Sequence, residues 1–220
     1  MIAAEWWTYR PSDFIMFSPR LFARLFESIN AQGWPLALAF VAGGLWLLLR
    51  RPTGTASARG TLAALALAWG ASGWLFHWQR FAPINWPAQG AAWLFGTQAL
   101  LLATAAARAP VRWHAPSTRR RAGLALAAWA LLGHPLLAGL FGRPWRQAEL
   151  VGLAPDPTAL ATLAALLLLQ PGPPLLTGLL WTLTCGWLLA SAAMLATIDW
   201  PQAWVLLGLL ALALPAARRG

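Results

Sequence analysis

His77, Arg80, Asn85, Trp86, His134, Arg143, Trp145, Asp156 and Thr158 are the residues of this chain whose types and positions suit ligand chemistry. His77 and Arg80 close one long apolar run, and Asn85-Trp86-Pro87 turns into the next. Arg143-Pro144-Trp145-Arg146 and Asp156-Pro157-Thr158 bracket two further runs. His134 lies inside an apolar run, roughly 12 Å below the nearer end of a helix rising 1.5 Å per residue. An ionisable side chain within a membrane segment is a functional candidate by default. Neutral imidazole is the commonest metal ligand, so His77 and His134 raise a haem or metal reading. Their expected depths differ by roughly 8 Å, and no second cysteine completes a shell. Pro135 offers His134 another partner, because proline leaves one helical carbonyl without its donor.

No catalytic motif accompanies these residues. The chain lacks a Gly-x-Ser-x-Gly turn, and no carboxylate is spaced to orient a histidine for nucleophilic work. No glycine-rich phosphate loop follows a strand pattern. The sequence therefore assigns no enzymatic activity, no catalytic residue, no resident metal and no identified cofactor.

These residues need elements to position them, and hydropathy supplies the elements. The 220 residues are 59% hydrophobic and 10% charged, and all sixteen basic residues are arginine. A hydrocarbon layer roughly 30 Å thick needs about 20 apolar helical residues. Trp34 to Leu49, Thr61 to Trp78, Ala88 to Ala107 and Ala122 to Phe141 approach or meet that length without internal charge. Thr158 to Leu169, Pro174 to Thr197 and Pro201 to Ala217 complete an expected seven crossings, the first and last of these being short. The fifth is followed by Gln170-Pro171-Gly172-Pro173-Pro174, and whether it crosses or re-enters is open. Asp156 is placed to cap it, with Pro157 starting the helix. The expected fold is all-α, a multi-pass transmembrane bundle of about seven spans. Its divisions are residues 1–33, an N-terminal periplasmic segment with an amphipathic interfacial helix, and residues 34–217, a single transmembrane domain. Ser18 caps that first helix, Pro19 starts it, and Phe22, Leu25, Phe26 and Ile29 line one face.

Seven crossings put ten arginines on one side: Arg50, Arg51, Arg59, Arg108, Arg112, Arg119, Arg120, Arg121, Arg218 and Arg219. All six carboxylates fall on the other. Positive loops stay cytoplasmic, so the expected location is a bacterial inner membrane with the N-terminus periplasmic and the C-terminus cytoplasmic. The net charge of +10 then reflects topology and anionic lipid, and nucleic acid is excluded as a partner. Membrane lipids are the expected partners, together with a larger membrane complex if the chain is an accessory subunit. Of sixteen tryptophans, ten (Trp6, Trp7, Trp34, Trp74, Trp78, Trp86, Trp93, Trp145, Trp200 and Trp204) fall toward the outer side, as an aromatic belt or as the wall of a vestibule.

Trp6-Trp7-Thr8-Tyr9-Arg10-Pro11-Ser12-Asp13-Phe14, Phe81-Ala82-Pro83-Ile84-Asn85-Trp86-Pro87-Ala88-Gln89, Gly133-His134-Pro135-Leu136 and Pro155-Asp156-Pro157-Thr158 resemble a bacterial polytopic family catalogued as domain of unknown function 6064. The resemblance spans nearly the whole chain. It implies a small multi-pass membrane protein and no mechanism. Three functional readings stay open. The first is binding or passage of a small solute or lipid-like ligand through an outer aromatic and polar cavity. The others are an accessory subunit of a larger complex and a haem- or metal-binding redox subunit.

Overall fold

The computed structural model describes residues 17–50, 54–114 and 117–218, and the first family motif, at Trp6 to Phe14, lies outside them. The described chain is a helical bundle with one two-residue β-pairing. Helix α1 spans Pro19–Arg50, α2 Thr55–Ala71, α3 Ala88–Arg108, α4 Thr118–Ala128 and α5 His134–Leu140. Helices α6 (Pro155–Leu168), α7 (Pro174–Thr197) and α8 (Gln202–Arg218) complete it. Four helical stretches are long and apolar enough to cross a membrane: Pro19–Arg50, Ala88–Arg108, Thr118–Leu140 and Pro174–Thr197.

The amphipathic segment and the first apolar span form one helix that runs through Pro35. Ser18 Oγ accepts from the Leu21 amide at 3.2 Å, the expected cap. Phe22, Phe26 and Ile29 are buried, so the amphipathic face packs on the bundle. Phe22 and Phe26 meet Phe76, and Phe22 also meets Phe81 and Trp200.

Two helices change pitch, and both changes carry a histidine. Helix α2 continues as a π-helix over Ser72–Phe81, which contains His77. Helix α4 passes through a π-helical turn at Trp129–Gly133 before α5 begins at His134, whose amide bonds to the Trp129 carbonyl. The π-turn sits where Pro135 removes a donor, and such wider turns recur at functional positions.

Helix α6 is the axis of the bundle. Thirteen of its fourteen residues are buried, which explains how so short an apolar helix keeps away from solvent. The chain between α5 and α6, residues 141–154, makes a short 3₁₀ turn at Trp145–Gln147 and then turns inward, with Ala148, Glu149 and residues 151–154 buried. Buried irregular backbone needs its polar groups satisfied by the protein around it. Thr158 Oγ1 accepts from the Gly152 amide at 2.8 Å and donates to the Ala154 carbonyl at 2.7 Å. Asn30 Nδ2 donates to the carbonyls of Arg146 and Ala148 at 3.0 and 2.7 Å, tying the segment to α1. Gly152 has φ +87°, and a Cβ there would strike the Phe40 ring. Only glycine suits that position.

The bundle has two distinct ends. At one, strand β1 (Arg112–Trp113) pairs antiparallel with β2 (Leu169–Gln170), joining the α3–α4 loop to the C-terminus of α6. Trp113 Nε1 donates to the Gly54 carbonyl and Arg119 to those of Leu166 and Ala217, so arginine-rich segments gather here. At the other end the start of α1, residues 141–147 and residues 198–201 enclose a cleft.

Candidate functional site

The chemistry concentrates below that cleft. A tight turn at the C-terminus of α7 starts the arrangement: Asp199 takes φ +54°, and the Trp200 amide bonds to the Leu195 carbonyl at 2.9 Å. Asp is one of the few residues that tolerates this left-handed conformation. The turn buries the Trp200 ring, and Arg143 lies 4.8 Å above its centroid in a cation–π contact. Helix α8 then begins at Gln202, aiming its amide inward.

Arg143, Glu149, Gln202 and His134 form one network there. Arg143 Nη2 donates to Glu149 Oε1 at 3.0 Å and to Gln202 Oε1 at 3.1 Å. Gln202 Nε2 donates to Glu149 Oε2 at 2.8 Å and lies 3.1 Å from His134 Nε2. The same imidazole nitrogen is 3.4 Å from Glu149 Oε2. These two contacts call for different tautomers. An accepting Nε2 accepts a hydrogen bond from the Gln202 amide, whereas an Nε2–H donates to Glu149. The shorter contact fits the accepting form. Nδ1 then carries the proton, and it has no hydrogen-bond partner within the described residues.

Glu149 and Gln202 are buried, and Arg143 has 11% of its side chain exposed. A buried carboxylate needs compensation. Burial alone would push the Glu149 carboxyl up, but the Arg143 guanidinium and the Gln202 amide beside it hold it below its ordinary value.

Asp156 belongs to an adjoining group. It stands in the first turn of α6, where the helix dipole favours negative charge. Ala154 occupies the N-cap position and the Asp156 side chain makes no cap bond, which corrects the expected capping role. Its oxygens instead accept from Trp187 Nε1 at 3.0 Å and Ser191 Oγ at 2.9 Å, both on α7. The packing demand of a buried carboxylate, satisfied from a neighbouring helix, replaces the local cap.

His77 is enclosed by aromatic rings. Phe95 and Trp187 centroids lie 4.6 and 4.9 Å from it, and both ring nitrogens are buried without hydrogen-bond partners among the described residues. Trp187 therefore touches His77 with its face or edge while donating to Asp156. Arg80 bonds to Gln32 Oε1 and the Leu75 carbonyl, both at 2.6 Å, on the α1 side of the bundle. Thr158 secures the loop described above. Asn85 lies in the turn before α3, and Trp86 and Trp145 are exposed, the latter against Gly139.

Of the residues singled out from the sequence, the structure thus brings His134 and Arg143 together, with Asp156 beside them. Glu149 and Gln202 complete the network without having been singled out. Glu149 lies between apolar runs and Gln202 is the second residue of the last one, so neither stands out as a polar group deep within a run. The proline-freed carbonyl expected to hold His134 is not its partner, because the π-turn aims the ring at Glu149. Among the described residues no three His, Cys, Asp or Glu side chains converge as a metal-holding group.

The cleft above the network has a volume of about 1010 Å³. Arg20, Arg24, Arg143 and Arg146 line it with Glu27 and Asp199, and Phe141 and Trp200 supply its aromatic surface. Arg146 Nε pairs with Glu27 Oε1 at 2.7 Å. Most tryptophans near this end face outward: Trp34, Trp74, Trp78, Trp86, Trp93, Trp145 and Trp204 are exposed.

Comparison with known proteins yields one relationship. A family of unknown function, DUF6064, matches over residues 20–219. No curated protein and no solved structure matches the chain.

Proposed function

The chain belongs to the DUF6064 family, and we propose that it is a multi-pass inner-membrane protein whose cleft binds a small anionic solute over Arg143. Arg143 carries this reading. Its guanidinium lines the cleft while Glu149, Gln202 and the Trp200 ring fix it from below. A cation held at a set position in a concave site is preorganised for a carboxylate or phosphate. Arg20 and Arg24 make no ion pair with any described residue and add attraction at the rim. Beneath the guanidinium, Gln202 and Glu149 share the His134 Nε2, so the network that holds Arg143 extends to the imidazole.

The arginine-rich opposite end supports placing the cleft on the periplasmic side. Purified protein in mild detergent, titrated with phosphate, citrate and glutamate while its unfolding is followed, tests the proposal. At one hundred times its dissociation constant a true ligand stabilises by about 2.7 kcal/mol. At least one of the three anions raises the melting temperature of the wild type, and Arg143→Gln removes that rise while Trp145→Ala keeps it. An unresponsive wild type, or an undiminished response in Arg143→Gln, refutes the assignment.

The accessory-subunit reading draws on a different surface. Trp74 stacks on Trp78 at 6.1 Å, and Trp78 meets Trp93 edge-on at 6.3 Å, an exposed aromatic patch on the side of the bundle. Stoichiometric co-purification of another membrane protein from native membranes, lost in Trp78→Ala/Trp93→Ala, would favour it.

A further inference from the structure

A second cavity lies at the arginine-rich end, between α1, α2, α4 and α6, with a volume of about 520 Å³. Its walls are apolar. On α2 they are mostly small residues, on α1 Gly43 and Gly44 lie among larger apolar side chains, and a Cβ added at Gly43 would meet nothing within 4 Å. Leu131 and Val151 close its deep end. Ser57, Trp113 and Arg120 stand at its polar end.

The shape restricts the occupant. Along α2 the cavity runs from Ser57 to Ala68, and along α4 from Arg120 to Leu131. Each stretch is about 16 Å long at 1.5 Å per residue, close to half of a hydrocarbon layer of roughly 30 Å. Spread over that length, 520 Å³ describes a long, narrow slot. A single hydrocarbon chain fits it, reaching from one membrane surface to the midplane.

Charge selects the head group. Arg120 is half-buried, and its guanidinium makes no hydrogen bond or ion pair with the described residues. The neighbouring Arg119 is already committed to the carbonyls of Leu166 and Ala217. Trp113 is held at the mouth by bonds from its Nε1 to the Gly54 carbonyl at 3.1 Å and Ser57 Oγ at 3.2 Å. Tryptophan at head-group level and arginine at the membrane surface are the residues that meet an anionic lipid.

We propose that this slot is a binding site for one anionic phospholipid, an acyl chain lying between α1 and α2 and the phosphate beside Arg120. The site is separate from the cleft over Arg143 and stands or falls independently of it.

Protein reconstituted in nanodiscs of equimolar phosphatidylglycerol and phosphatidylcholine, then released for native mass spectrometry, tests the proposal. The wild type retains one phosphatidylglycerol in preference to phosphatidylcholine. Gly43→Leu and Ala64→Leu fill the slot from α1 and α2 and lose the retained lipid. Leucine is a better helix former than glycine and close to alanine, so helicity does not suffer at either position. Gly208→Leu on α8, equally free of steric contact, keeps it. Arg120→Gln retains a lipid but lowers the preference about fivefold, the scale of one arginine at an anionic surface. No retained lipid on the wild type, equal retention of both lipids, or unchanged retention in whichever filling variant elutes as monodisperse protein overturns the site. An unaltered preference in Arg120→Gln overturns the head-group assignment independently of the filling variants.

Discussion

Glu149 is the residue on which the buried network depends. It accepts from Arg143 and Gln202 and faces His134, so its removal leaves the largely buried Arg143 guanidinium without a counter-charge. Breaking one partner from a buried pair costs roughly 3–5 kcal/mol, and Glu149→Ala should lower the melting temperature in detergent far more than Trp145→Ala. The pH dependence follows from the same environment. The folded carboxyl lies below its ordinary value, against about 4.3 in an unfolded chain. The stabilisation is therefore complete above that unfolded value and is lost as pH falls through the folded one. Melting temperature followed from pH 7 downward should hold steady until acid conditions and then drop, and Glu149→Gln should lack that component of the drop. At this scale the sequence exposed His134, Arg143 and Asp156, because a polar residue in or beside an apolar run stands out. It concealed Glu149 and Gln202, which come from a loop and a helix start that only the fold delivers to one point.

Elements decide where those side chains aim. The π-turn at Trp129–Gly133 adds width to the α4–α5 rod just before His134. Adding one residue there, as in an alanine inserted after Leu132, rotates everything beyond it by about 100°, one residue's share of a 3.6-residue turn. Helix content measured by circular dichroism should stay near wild type while the anion-dependent stabilisation disappears. Retained stabilisation would show that the π-turn does not orient the imidazole. The inward segment before α6 has its own weak point at Gly152. A left-handed backbone and the Phe40 ring both oppose a side chain there, and a strained conformation costs on the order of 1–3 kcal/mol. Gly152→Val should destabilise the protein more than Gly208→Val, whose Cβ has free space, in the same melting measurement. Hydropathy announced the helices but not these transitions. A change of pitch and a residue at φ +87° both arise from how neighbours pack, while the apolar pattern on either side remains unchanged.

For the whole molecule, charge and apolar length are the governing quantities. Arginine segregation predicts a periplasmic N-terminus and a cytoplasmic C-terminus. A green fluorescent protein fused after Gly220 should fluoresce, and alkaline phosphatase fused within residues 141–147 should be active. The reverse pair of results would invert the cleft and the lipid slot together. The sequence by itself determined the all-helical class, the apolar runs, the capped start at Ser18 and the clustering of arginines at one end. Each of these depends on residue type and on spacing along one stretch of chain, so each is written locally. Tertiary structure alone decided that α6 is the buried axis, that Asp156 answers α7 and not its own helix, and that Glu149 and Gln202 join Arg143 and His134. It also decided where space remains, leaving a charged cleft at one end and a chain-width slot at the other. Those features depend on groups far apart in sequence meeting under the requirement that every buried charge and polar backbone group find a partner, and no local pattern encodes such a meeting.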